Sequence, residues 1–194
     1  MVDKIKYYWM QPKEEAIATV AYAPSSYRLS PSLMVDISSA ERLPFDMELH
    51  YVYVADKLVK GDASDECLDY LPNNFGCSIL STRLQRIIID YLTGNESLQW
   101  LSVSIKGKTH EYEYHIPFFC KYLDTIDINK TVFSPVTNRI IINPAFDYEK
   151  IMQYAIFHGP DDVYWQLGRT LYVNERIRRA IESSRIPGLE FEAI

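Results

Sequence analysis

Residues 80–116 read LSTRLQRIIIDYLTGNESLQWLSVSIKGKTHEYEYHI, and this stretch decides the fold class. Leu80, Leu84, Ile87, Ile88, Tyr91 and Leu92 recur at the spacing of one helix face. Ser81 stands where a side-chain oxygen accepts a hydrogen bond from a first-turn N–H. Gly94 stands where a left-handed residue ends a helix. The period then changes. Residues 98–105 and 109–116 read as two strands joined by a turn at Lys106-Gly107-Lys108. A capped helix running straight into a β-hairpin breaks the strict alternation of a doubly wound parallel sheet. The expected class is therefore α+β, with mixed or antiparallel sheets and a few helices.

The flanks agree with that class. Upstream, residues 4–10 read as an aromatic-rich strand and residues 33–37 as a short strand. Residues 16–23 are ambiguous between prolines. Residues 47–54, MELHYVYV, alternate cleanly, with Met47, Leu49, Tyr51 and Tyr53 on one face. Residues 61–66 form a polar break and residues 70–76 a turn. Downstream, strands are expected at 118–123, 139–142, 163–167 and 170–173, with a helical turn at 148–152. Asn174 caps a helix running to about Ser184, and a last strand follows at 189–191. The two capped helices share one script. Leu80-Ser81-Thr82-Arg83-Leu84-Gln85-Arg86-Ile87-Ile88 and Val173-Asn174-Glu175-Arg176-Ile177-Arg178-Arg179-Ala180-Ile181 both place an apolar residue before the cap and repeat the same polar spacing after it. Any capped amphipathic helix can look like this. A duplicated helix-strand unit is the alternative.

The chain has 194 residues, a length that suits one domain. Fifteen tyrosines and three tryptophans exclude a disordered composition. The net charge is −6, which argues against a general nucleic-acid binder. That charge is local. Between Asp36 and Asp69 nine acids face three bases, an excess equal to that of the whole chain. This segment reads either as a solvated face or as a docking surface for a basic partner.

Few residues suggest chemistry. Phosphate-binding glycine loops, HExxH and GxSxG are absent. Cys67, Cys77 and Cys120 have neither paired short spacing nor an even count, so reduced thiols in the cytoplasm are expected. Cys77 precedes a helix and could be an activated nucleophile, although a buried structural thiol is the simpler reading. Glu111, Glu113 and His115 share one strand face, too flat to converge on a metal. Asp161-Asp162 follow Gly159-Pro160 and read as a surface turn. No run reaches the roughly 20 apolar residues that cross a bilayer.

Four segments then point to a family. LSTRLQRII (80–88), YLDTIDINKTVF (122–133), WQLGRTLYVNERIRRAI (165–181) and PGLEFEAI (187–194) resemble, in order and spacing, the bacterial immunity proteins encoded beside polymorphic toxins (the Imm eleven/forty-three type). The matching residues are Ser81, Leu84, Asp127, Asn174, Gly188 and Phe191, which the resemblance casts as structural. Asn174 stands where the family usually has Ser, and Thr131 where a Ser is common. The resemblance implies one immunity domain over 1–194, with a variable part at 1–77 and a family-like part at 78–194. It implies a cytoplasmic, non-catalytic inhibitor that binds a toxin protein, with no cofactor, metal, nucleic acid or membrane. Contacts are expected on the acidic segment and its tyrosines: Glu48, Tyr51, Tyr53, Asp62, Asp65, Glu66 and Asp69. A hydrolase that reverses damage, using Cys77 or the acids, and a scaffold module are the other two readings.

Overall fold

The computed structural model describes residues 5–13, 19–51, 68–137, 140–160 and 164–194. The chain is α+β, as expected. Among the described residues there are two main sheets, a small hairpin and four α-helices.

The larger sheet contains β2 (Thr19–Tyr22), β3 (Met47–Tyr51), β4 (Tyr70–Leu71), β5 (Ile79–Ser81), β6 (Leu98–Lys106) and β7 (Glu111–Phe119). Its order is β2-β3-β6-β7-β5-β4, antiparallel throughout except for β3 beside β6. The two edges meet. The Ala21 N–H donates to the Pro72 carbonyl at 2.8 Å, and the Asn74 N–H donates to the Ala21 carbonyl at 3.2 Å. The sheet therefore closes on itself through a short seam, which removes the exposed edges an open sheet would have. Alternate side chains fill the interior: Met47 and Leu49 from β3, Leu101, Val103 and Ile105 from β6, Tyr114, Ile116 and Phe118 from β7. The period-2 pattern of 47–50 is reproduced, with Met47 and Leu49 buried and Glu48 and His50 exposed.

Helix α1 (Pro31–Ser38) adds Leu33, Met34 and Ile37 to this core. A strand was expected at 33–37, and the structure corrects it. The Ser30 hydroxyl accepts from the Leu33 N–H, and Pro31 sits in the first turn where its missing N–H loses nothing. The apolar residues then fall at helical, not alternating, positions.

The second sheet contains β1 (Tyr7–Pro12), β10 (Ile156–His158), β11 (Leu171–Asn174) and β12 (Leu189–Ala193), in the order β10-β11-β1-β12 and all antiparallel. Helices α2 (Thr82–Ile89) and α4 (Glu175–Ser183) join it, with Leu80 and Phe119 of the larger sheet, in a second core. A strand was expected at 163–167. Residues 165–167 instead form a 3-10 turn ending at Gly168, which has φ +52°. A Cβ there would lie 2.9 Å from Leu171 and 3.1 Å from Phe119. Strand β10 was not anticipated, and β7 continues to Phe119 where a separate strand at 118–123 was expected. Helix α2 starts after Ser81, since Leu80 belongs to β5, and it stops at Ile89, short of Gly94.

The two similar helix segments occupy equivalent positions. In β5–α2–β6 the strand β7 lies antiparallel between β5 and β6. In β11–α4–β12 the strand β1 lies antiparallel between β11 and β12. Each is thus a split β-α-β crossover in which the cap is the last strand residue. The Ser81 hydroxyl accepts from the Leu84 N–H at 3.1 Å. The Asn174 side-chain oxygen accepts from Arg176 at 3.1 Å and Ile177 at 3.0 Å. Leu84 and Ile88 of α2, and Ile177 and Ile181 of α4, are buried at the same distances from their caps. The Arg83 guanidinium donates to the Ser184 carbonyl and ties one helix to the end of the other. Ser81→Ala and Asn174→Ala are each expected to lower stability by about 1 kcal/mol in urea unfolding, with Asn174→Ala the larger because two N–H groups lose their acceptor. A change below about 0.3 kcal/mol at both sites would mean that water replaces the caps.

Candidate functional site

The acidic segment divides on inspection. Tyr53, Asp62, Asp65 and Glu66 lie outside the described residues, as does the side chain of Tyr51. Glu48 lies on the outer face of β3, its carboxylate 3.7 Å from His50 and mostly exposed. Asp69 has an internal job: its carboxylate accepts from the Ser81 hydroxyl, and its carbonyl accepts from the Ser81 N–H at 2.8 Å. It thereby positions the cap of α2. Asp46 pairs with Arg42 at 2.7 Å and Lys106 at 2.9 Å, and the hydrogen bonds from Lys106 and then Arg42 hold its carboxyl below the usual range. Among the described residues, Asp36, Glu41 and Glu48 of this segment are exposed.

Leu84 is fully buried and Phe191 packs against the second core. Gly188 has φ +76°, a conformation that suits glycine, at the turn into β12. Asp127 organises a turn: its carboxylate accepts from the Asn129 N–H at 3.0 Å and pairs with Lys130 at 2.9 Å. The hydrogen bond from Lys130 is the main cause of its lowered pKa. The Asp127 carbonyl also accepts from the Thr131 N–H and hydroxyl, at 2.9 and 2.8 Å.

That turn is the base of the small hairpin, β8 (Val132–Phe133) against β9 (Ile141–Asn143). A strand was expected at 139–142, and β9 overlaps it at Ile141 and Ile142, Arg139 lying outside the described residues. The hairpin root is firm. The Asp127 N–H donates to the Ala145 carbonyl at 2.7 Å and the Asp147 N–H to the Thr125 carbonyl at 2.9 Å. Its outer surface is apolar: Ile128 is 68% exposed, Val132 50%, Val136 88%, Ile140 60% and Ile142 61%. Single exposed apolar residues are ordinary, but five on or beside one short anchored element make it a candidate contact element. The run Ile140-Ile141-Ile142 was the available sequence signal, since a two-stranded ribbon cannot bury both faces of its strands.

Two clefts flank β1. One, of about 950 Å³, lies beside Trp9, Gln11, Phe75, Tyr164 and Arg169. The other, of about 740 Å³, is lined by Trp9, Tyr172, Pro144, Phe146, Glu192 and Ile194 among others. Helix α3 (Tyr148–Ile151) contributes Tyr148 and Ile151 to the same lining.

Of the residues that suggested chemistry, Cys67, Asp161 and Asp162 lie outside the described residues. Cys77 is buried and burial pushes its thiol well up, so it is held as the thiol. Glu111 accepts from the Ser104 hydroxyl, and His115 lies 3.0 Å from the Thr82 hydroxyl, so the Glu-Glu-His face is partly engaged in local bonds. Burial lowers the pKa of His115. Among the described residues, no group of three or more His, Cys, Asp or Glu side chains could hold a metal ion. No described helix is long and apolar enough to cross a membrane. Two further polar residues are buried at positions that no motif marks. Glu96 is 1% exposed and accepts four hydrogen bonds, and His158 is fully buried beneath an aromatic cage. Neither has a sequence pattern of its own. No family model matches the chain, and no curated protein matches it.

Proposed function

We propose that this chain is an immunity protein that neutralises a bacterial toxin by forming a stoichiometric complex with it in the cytoplasm. The observation that carries the reading is the hairpin: a rigidly rooted element that presents Ile128, Val132, Val136, Ile140 and Ile142 to solvent. An apolar group of this kind is the centre of a protein interface, and a polar rim completes it. Asp36, Glu41 and Glu48 supply exposed acidic groups elsewhere on the surface, which favour a basic partner and speed its encounter. The four resembling segments support the same reading, because their residues build the helix caps, the hairpin root and β12. The buried Cys77 thiol weighs against the version of the hydrolase alternative that uses this thiol as nucleophile.

The test is co-expression with the toxin gene encoded beside this one, scored by growth protection and by co-purification of a 1:1 complex. Ile140→Ser/Ile142→Ser is expected to leave stability within about 0.5 kcal/mol, because both side chains are exposed. The same variant is expected to weaken the complex roughly tenfold to a hundredfold and to reduce protection. Protection without a complex would transfer the case to the enzymatic reading. Neither protection nor a complex would leave a scaffold role.

A further inference from the structure

Among the described residues the second sheet ends at β10 on one side and at β12 on the other, and the β12 edge is the one with a resolved register along its whole length. The Ile194 N–H donates to the Tyr7 carbonyl at 3.1 Å, and the Lys13 N–H donates to the Gly188 carbonyl at 2.9 Å. With the register Tyr8↔Ala193 to Pro12↔Leu189, the groups bonded to β1 belong to residues 188, 190, 192 and 194. Leu189, Phe191 and Ala193 therefore turn their N–H and C=O groups outward, and no described strand pairs with them. The edge is chemically two-faced. Glu190 and Glu192 project on the side of Gln11 and Trp9, with Gln11 donating to Glu190 at 2.8 Å. Leu189 and Phe191 project on the other side, against the second core.

We propose that β12 receives an extended segment of a protein partner as a fifth strand, and that this segment alternates basic with apolar residues. Strand addition supplies partners for the three backbone positions that no described strand pairs. Side chains beside Glu190 and Glu192 gain from carrying positive charge, and those beside Leu189 and Phe191 gain from being apolar. A second copy of the chain does not fit. Antiparallel pairing of two β12 edges that joins their outward backbone groups over this span sets Glu190 or Glu192 against a glutamate of the other copy, and like charges directly opposed are unfavourable. The carboxylates thus disfavour antiparallel self-pairing while admitting a basic strand. The proposal rests on the immunity reading for the partner's identity, a basic toxin, but not for the edge itself.

Two experiments separate the claims. In the first, a short synthetic peptide of alternating Lys and Val is added to the full chain, and amide hydrogen exchange is followed by NMR. Slowed exchange at Leu189, Phe191 and Ala193 is the expected result, with an alternating Glu and Val peptide giving none. Equal protection by both peptides, or by neither, overturns the proposal. In the second, the toxin complex is formed with Glu192→Lys and with Ala193→Pro, each checked for folding by circular dichroism. Glu192→Lys is expected to weaken binding roughly tenfold, by turning an attraction into a repulsion. Unchanged binding by Glu192→Lys refutes strand addition by the toxin and leaves the immunity reading intact. A chain that takes the peptide on β12 but binds no toxin loses the immunity reading and keeps the edge site.

Discussion

Glu96→Ala is expected to lower the unfolding free energy by about 4 kcal/mol, the largest effect of any single polar substitution here. The carboxylate is 1% exposed. One oxygen accepts from the Thr93 N–H at 3.1 Å, the Thr93 hydroxyl at 2.9 Å and the Ala155 N–H at 2.7 Å. The other accepts from the Gly94 N–H at 2.9 Å. These bonds close the loop between α2 and β6 and fasten it to the start of β10, so they tie the first split crossover to the second sheet. Alanine leaves buried donors without an acceptor, and each such group costs about 1–3 kcal/mol. Glu96→Gln keeps the shape but points an amide N–H₂ at a donor, and should cost about half as much. Urea unfolding of both variants provides the measurement. A loss below about 1 kcal/mol for Glu96→Ala would mean that water reaches the loop and replaces the carboxylate.

The second large effect is acid sensitivity centred on His158. Its Nε2 accepts from the Leu123 N–H at 3.0 Å, which leaves the proton on Nδ1, 2.9 Å from the Gly159 carbonyl. Phe119, Tyr122 and Trp165 surround the ring, with centroids 5.0, 5.1 and 5.1 Å away. Protonation would place a second N–H against the Leu123 N–H inside an apolar cage. Burial therefore pushes the pKa down to about 4, opposed by the bond to Gly159. In the unfolded chain the ring takes up its proton near the ordinary value of 6.5. Between those two values the unfolded state binds more protons, so stability falls as the pH falls. The contribution is complete above about pH 6.5 and is lost progressively toward pH 4, for a total of about 3 kcal/mol. Carboxylates titrate in the lower part of that window, so the comparison is with His158→Phe, whose stability should change less from pH 7 to pH 4.5. An NMR titration that placed the His158 ring near its ordinary pKa would refute the dry cage.

The helix caps were legible because a cap is a local contract. Ser81 and Asn174 bond N–H groups two or three residues away, and the apolar residues that follow must recur every three or four positions to share a face. The same reasoning found the β6–β7 hairpin, whose partners are near in sequence. It failed at residues 33–37, where the Ser30 cap and Pro31 outweighed a short apolar run that also suited a strand. It failed again at β10, three buried residues with no alternation to reveal them.

The distribution of the acidic charge shows the same boundary. Sequence identified the excess between Asp36 and Asp69 but not its uses. Asp69 serves a helix cap and Asp46 a pair of cations, while the apolar hairpin that carries the functional proposal lies far along the chain.

What the sequence by itself determined is the α+β class, the two capped helices and their repeated script, because each depends on bonds and faces within a few residues. Only the tertiary structure decided that the script is a pair of split crossovers, that the larger sheet closes at Ala21, and that β12 and the hairpin remain open to solvent. Strand order and edge exposure depend on which distant segments win the available hydrogen bonds and apolar surface. That competition is settled by packing over the whole chain, and no local spacing encodes it.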